Sequence, residues 1–197
     1  MLVEKSRSSN KSLSLRKQRP EGRCFLLYTR YYTYVSVAYL SLGSNLGDRK
    51  INLRRAVKML PPKVKVDAVS PVYETDPMYF PDQPKFYNVV VRGKTELTPE
   101  ALLKHVKSIE KAMGRDSDTH NRPRIIDLDI MFYDDLVHKS PDLIIPHLHI
   151  AERAFVLVPL NDIAPKFIHP TLKATAKQML EHISDWKAQV RRTNIDV

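Results

Sequence analysis

Two aspartates one residue apart, Asp127 and Asp129, with Arg115, Arg122 and Arg124 just before them, are the side chains in this sequence best spaced for chemistry. The aspartates stand in Ile125-Ile126-Asp127-Leu128-Asp129-Ile130-Met131-Phe132, a β-branched apolar run too short for a typical helix and closed by Asp134-Asp135. It reads as a buried strand. Successive strand side chains point to opposite faces, so Asp127 and Asp129 share one face and Leu128 and Ile130 the other. Two carboxylates roughly 6–7 Å apart beside a core are costly to keep ionised and unpaired, so a cation must sit between them. The arginines are one source, from a polar segment without periodicity that reads as a mobile loop. Magnesium is the other, since it takes hard oxygen ligands from one or two carboxylates and substrate phosphates. Carboxylates and arginines together suggest a phosphate site, where arginines absorb the charge that develops on transfer. The plain alternative is a structural Asp–Arg network at a strand end.

The elements that must position these groups can be read on either side. Val35 to Leu42 alternates into a strand that stops at Gly43-Ser44-Asn45-Leu46-Gly47-Asp48, a tight turn with Asp48 as N-cap of a helix from Arg49 to Leu60. Ile51, Leu53, Ala56, Val57 and Leu60 form its expected buried stripe. Neither glycine pair makes a phosphate-binding P-loop. A second strand is expected over Val64 to Tyr73. The proline-rich segment after it is long for a hairpin, which favours a binding role. Phe86 to Val91 reads as a strand with Asn88 inside it, a polar group that needs a partner from backbone or ligand. Thr98-Pro99 starts a helix that runs to Met113 and ends at Gly114. Its lysines Lys104, Lys107 and Lys111 read as solvent-exposed, and Glu110 either lines the site or pairs with Lys107 or Lys111. Leu136 to Ile145 holds a short strand before Pro146-His147, where a ring nitrogen can meet a ligand or serve the fold. Helices follow over Ala151 to Leu160 and Lys173 to Trp186, then a frayed polar tail.

This order, strand, helix, strand, strand, helix, strand, then additions, predicts an α+β fold. It is the ferredoxin-like (split βαβ) pattern, an antiparallel sheet with helices on one face plus C-terminal additions. The expected division is a basic extension over 1–35, one catalytic domain over 36–186 and a polar tail over 187–197. Residues 1–36 carry +6 of the formal net charge of +10, so the body is only mildly basic. That argues against a nucleic-acid function for the whole, although the arm itself suits weak polyanion binding. No apolar run approaches a membrane span, and the single Cys24 excludes an intramolecular disulfide. A cytoplasmic location is expected, with organelle targeting by the basic extension as the alternative.

Six elements together resemble the 6-hydroxymethyl-7,8-dihydropterin pyrophosphokinase family over about Val37 to Pro170. They are Gly43-Ser44-Asn45-Leu46-Gly47, Tyr73-Glu74-Thr75-Asp76-Pro77, Asp82-Gln83-Pro84-Lys85-Phe86-Tyr87-Asn88, Glu110-Lys111-Ala112-Met113-Gly114-Arg115, Arg122-Pro123-Arg124-Ile125-Ile126-Asp127-Leu128-Asp129-Ile130 and Ile145-Pro146-His147. The resemblance implies transfer of the β,γ-diphosphate of ATP, a co-substrate, to the pterin hydroxymethyl group, releasing AMP, in folate biosynthesis. It implies that Asp127 and Asp129 hold two magnesium ions and that Arg115 and Arg124 grip the transferring group. Glu110, Ile130 (through its backbone), His147 and Arg153 would then meet ATP. Thr75, Asp76, Met78 and Asn88 would match the pterin's polar edge while Phe86 and Phe155 stack on its faces. The implied partners are these small molecules, with no nucleic acid and no membrane, in a monomer or in association with other folate-pathway enzymes. Two positions depart from the common pattern, Asn121 before Arg122-Pro123-Arg124 and Leu148 after His147.

Two other classes compete. An RNA-binding module would suit the basic arm but lacks an aromatic strand of the kind such sheets use. A metal-dependent regulatory domain would keep the aspartates but has no need of Arg115 and Arg124.

Overall fold

The computed structural model describes residues 34–78, 82–115 and 122–197. Nine residues of alternating character make β1 (Ser36–Ser44), which is buried on both faces because a helical layer lies on each side. Ala38, Leu40 and Leu42 pack against α1 (Arg49–Met59) and α2 (Pro99–Ala112), whereas Tyr39 packs against α3 (Ala154–Ile163) and α4 (Ala176–Leu180). The sequence led to helices on one face only. The C-terminal elements cover the second face because Val156, Leu157, Leu160, Met179 and Leu180 give them an apolar side of their own.

Both long helices start as their caps dictate. Asp48 accepts from the Ile51 backbone N–H at 2.9 Å, and Thr98 accepts from that of Ala101 at 3.3 Å, with Pro99 at the first helical position. Helix α1 buries Leu53 and Ala56, and Leu60 follows them into the core, but Ile51 is 57% exposed. The predicted stripe therefore starts one member too early, and the buried side begins at Leu53.

The main sheet is antiparallel throughout, in the order β5-β1-β4-β3-β8, with β2 also on β4. Here β2 is Val64–Val69, β3 Tyr73–Thr75, β4 Phe86–Thr95, β5 Asp127–Tyr133 and β8 Val190–Arg192. The single strand expected over 64–73 is two, because Pro71 has no N–H for the ladder and Ser70 turns its hydroxyl to the Val90 N–H at 2.9 Å. Strands β6 (His138–Lys139) and β7 (Ile144–Ile145) form a separate hairpin. The last helix is broken into α4 and α5 (Trp186–Gln189), with Asp185 in the left-handed region between them. Instead of fraying, the chain then enters the sheet as β8 on the outer edge of β3, with Val190 buried.

Strand β5 carries a bulge. Tyr39 pairs with Phe132 but Leu40 pairs with Ile130, which leaves Met131 as an extra residue. Met131 and Phe132 consequently both turn to the α3 side. The Met131 carbonyl accepts the His147 N–H at 3.1 Å, so the 146–147 corner is fastened to the strand. Among the described residues no helix is long and apolar enough to cross a membrane.

Candidate active site

Register puts the aspartates where alternation predicts. Asp127 lies opposite Gly43 and Asp129 opposite Ser41, and on the other side of β1 Gly43 lies opposite Asn88. These residues line a cavity of about 340 Å3, together with Thr75 from β3, Asp76 and Met78 just after it, Phe86 from the start of β4, and Arg115, Arg124, Arg153 and Phe155. Eleven of the residues singled out in the sequence therefore meet in one place. Three do not line it. Ile130 packs its side chain with α1 and α2, Glu110 is buried behind Arg115, and His147 stands beside Arg153. The mobile segment expected before the aspartates falls on residues 116–121, including Asn121, which lie outside the described residues.

Two arginines bracket the first aspartate, whose side chain is only partly buried. Arg115 Nη1 bonds Asp127 Oδ1, and Arg124 Nη1 bonds Asp127 Oδ2 at 2.7 Å. Burial raises the affinity of this carboxyl for a proton, but the two guanidinium charges outweigh it and hold Asp127 below the usual carboxylate range. Asp129 differs. Its nearest cation among the described residues is Lys107 Nζ at 3.6 Å, and burial followed by the negative charge of Asp127 pushes its pKa up. A strand that keeps one satisfied and one under-neutralised carboxylate side by side is poised to take a further positive charge.

Glu110, only 4% exposed, gathers three donors on one oxygen: the Leu128 N–H at 2.6 Å, Lys107 Nζ at 3.1 Å and Arg115. Burial drives its pKa up, and Lys107, the Leu128 N–H and Arg115 draw it back. Glu110 thus locks α2 to β5 and aims Arg115 at Asp127. Lys107, read as a solvent-facing lysine, instead spans Glu110, the Leu128 carbonyl at 2.9 Å and Asp129. The i,i+3 spacing to Glu110 was the only local signal; the contact with β5 is long-range.

Near the other end of the cavity Asn88 is 3% exposed and donates from Nδ2 to Thr75 Oγ1 at 2.7 Å. Its Oδ1 approaches Gly43 so closely that a Cβ there would stand 2.8 Å away. Gly43→Ala is expected to displace the Asn88 amide, break its bond to Thr75 and destabilise the fold by about 1–3 kcal/mol. Thermal unfolding of the variant checks the stability loss, and an unchanged melting temperature would refute the tight contact.

Phe86 and Phe155 line the cavity from β4 and α3. Each has a guanidinium above its ring, Arg124 at 5.9 Å and Arg153 at 5.7 Å. Arg153 Nη1 lies 3.4 Å from His147 Nε2, and among the described residues its buried Nε has no hydrogen-bond partner. Burial, then the charges of Arg153 and His149, push the His147 pKa down to about 4. The ring is neutral at pH 7 and offers a lone pair to Arg153. Between about pH 6.5 and 4 the unfolded chain takes up a proton here that the folded chain refuses, so stability falls on acidification through that window. Denaturant unfolding at several pH values should show a shallower acid loss for His147→Gln than for the parent chain; equal slopes would refute the assignment.

Comparisons with known proteins agree on one family. The family described as 7,8-dihydro-6-hydroxymethylpterin-pyrophosphokinase (HPPK) matches residues 39–165. The chain is 46% identical over 144 residues to "Folic acid synthesis protein FOL1" of Dictyostelium discoideum, covering 73% of this chain and 22% of that protein. It is 40% identical over 154 residues to the 2-amino-4-hydroxy-6-hydroxymethyldihydropteridine pyrophosphokinase of Bacillus subtilis, covering 77% of this chain and 91% of the bacterial one. The chain thus spans about a fifth of the FOL1 protein but nearly the whole bacterial enzyme. A crystal structure of a Plasmodium falciparum HPPK-DHPS triple mutant superposes with a TM-score of 0.65 at 19% identity, over 81% of this chain and 47% of that one, a likeness of fold. A family match over most of the chain and a 40% identical relative covered almost end to end identify the chain as a member of the HPPK family.

Proposed function

We propose that the protein transfers the β,γ-diphosphate of ATP to 6-hydroxymethyl-7,8-dihydropterin, giving the pterin diphosphate and AMP. The observation that carries this reading is that the Arg115–Asp127–Arg124 bracket and the Asn88–Thr75 pair open into one cavity. One end suits a polyphosphate and the other a flat polar heterocycle. In the reaction the hydroxymethyl oxygen forms a bond to the β-phosphorus while the bond from that phosphorus to the oxygen bridging the α-phosphate breaks. AMP leaves with that oxygen, and the hydroxyl proton passes to solvent. Arg115 and Arg124 are the residues that take up charge on the moving group, and no covalent intermediate with the chain is required.

The donor set fits magnesium. Asp127 and Asp129 are hard oxygen donors on one strand face, and no group of three or more His, Cys, Asp or Glu suited to a metal occurs among the described residues. Such a pair suits an ion that arrives with phosphates and keeps several waters. When bound there, magnesium would neutralise phosphate oxygens and orient them. Arg153 Nε, without a partner among the described residues, suits an anion from outside the chain, and His147 holds the other side of that guanidinium. Phe86 and Phe155 supply ring faces for the pterin, with Asn88, Thr75, Asp76 and Met78 along its polar edge. The RNA-binding alternative is disfavoured by the fold, because α3 and α4 cover the sheet face opposite α1 and α2.

The test is AMP release from ATP and magnesium by the purified chain, with and without the pterin. Pterin-dependent AMP supports diphosphate transfer. ADP or no product, with pterin binding confirmed, would reduce the site to a binding role.

A further inference from the structure

The turn between β1 and α1 contains an asparagine that does nothing for the turn. Asn45 is 2% exposed. The turn's own groups are served by others: Asp48 caps α1, and Asn52 Nδ2 donates to the Leu46 carbonyl at 2.8 Å and to Ser44 Oγ at 3.2 Å. Asn45 is spent on two distant segments. Its Oδ1 accepts the Arg124 N–H at 2.7 Å, and its backbone N–H donates to the Arg124 carbonyl at 3.2 Å. Its Nδ2 donates to Gln83 Oε1 at 3.1 Å and to the Pro84 carbonyl at 3.3 Å. Both Nδ2 donors and the amide oxygen therefore have partners outside the turn.

Each segment carries one half of the site. Arg124 is the residue whose guanidinium holds Asp127. Pro84 stands two residues before Phe86, and Lys85 between them ties back to Asp76 at 2.8 Å. From the same corner Arg49 donates to the Lys85 carbonyl at 2.8 Å and to Glu74 at 3.0 Å, and lies 3.6 Å over the Tyr87 ring. A hydrogen-bonded path thus runs from the arginine that faces the phosphates, through one buried amide, to the stem of the pterin wall.

We propose that Asn45 is a positioning residue that couples the two substrate subsites, so that an occupant drawing on Arg124 improves the fit of Phe86 and its stem to the pterin. This rests on the pyrophosphokinase reading. Coupling of this kind is reciprocal: the factor by which nucleotide tightens pterin is the factor by which pterin tightens nucleotide. A contiguous path of side chains gives it a physical route but demands a direct measurement.

The measurement is calorimetric affinity for 6-hydroxymethyl-7,8-dihydropterin, with and without a non-hydrolysable ATP analogue and magnesium. The parent chain should bind pterin about fivefold or more tightly when the analogue is present. Asn45→Asp keeps the acceptor for the Arg124 N–H and removes both donors to 83–84, and its factor should fall toward one. Gln83→Ala removes one of those contacts and should lower the factor part of the way, which keeps the test open should Asn45→Asp fail to fold. Asn52→Ala weakens the turn itself, and should lower the melting temperature while leaving the factor intact. A parent factor of one, or an undiminished factor in folded Asn45→Asp or Gln83→Ala, overturns the coupling. Loss of the factor in Asn52→Ala would overturn it too, since turn stability would then be the cause. Failure of the parent chain to bind either ligand would instead overturn the pyrophosphokinase reading, a separate result.

Discussion

Asp129→Ala is expected to lower pterin-dependent AMP formation by about three orders of magnitude or more while the melting temperature stays level or rises. The stability half of this expectation follows from the pairing. Among the described residues Asp129 pairs directly only with Lys107, at 3.6 Å, and carries a raised pKa from burial and from Asp127, so its carboxylate is a cost to the fold. Removing it relieves repulsion with Asp127. The activity half follows from the proposed metal role, because a single remaining carboxylate already engaged by two arginines is a poor ligand set for an ion. Single-turnover AMP release and thermal unfolding measure the two halves. Activity within tenfold of the parent would sink the metal assignment. Asp127→Ala should behave differently, since it leaves Arg115 and Arg124 facing each other without their shared anion and ought to lower stability as well.

Arg124→Ala is expected to reduce kcat about a thousandfold with a much smaller change in the KM for pterin. The guanidinium meets Asp127 at 2.7 Å and lies above Phe86, but the contacts that fix the segment are made by the Arg124 backbone with Asn45 and survive the substitution. The loss should therefore be one of charge in the transition state. Arg124→Lys should not restore the rate, because an ammonium cannot present the planar fork that serves a carboxylate and a phosphate in turn. Steady-state kinetics that gave the lysine variant near-parental kcat would show that a simple positive charge is enough.

The order of strands and helices was readable because each long element carries its own signal. Thr98-Pro99 announces α2, Asp48 announces α1, and the alternation through Asp127-Leu128-Asp129-Ile130 tells which side chains share a face. Asn88 was flagged as a buried polar group in want of a partner, and Thr75 supplies it. What escaped depends on contacts remote in sequence. Lys107 looked like any surface lysine until α2 was laid against β5. Nothing in Val190-Arg191-Arg192 marks a strand, because its hydrogen bonds come from β3, over a hundred residues earlier. The second helical layer was missed for the same reason: the short pieces after residue 150 reveal an apolar side only once there is a sheet face to receive it.

The extra residue in β5 acts as a change of parity. Up to Met131, odd-numbered side chains lie on the α3–α4 side of the sheet, where Asp127 and Asp129 line the cavity, and even-numbered ones in the α1–α2 core; past it Phe132 joins the α3–α4 side and Tyr133 the core. One strand can thus obey two alternation rules, one for its chemistry and one for its packing. Were Met131 instead taken into a regular ladder, the halves would fall into a single phase, and the chain would keep its aspartates in the cavity only by turning Phe132 away from Tyr39 and Phe167, the aromatic cluster it now completes.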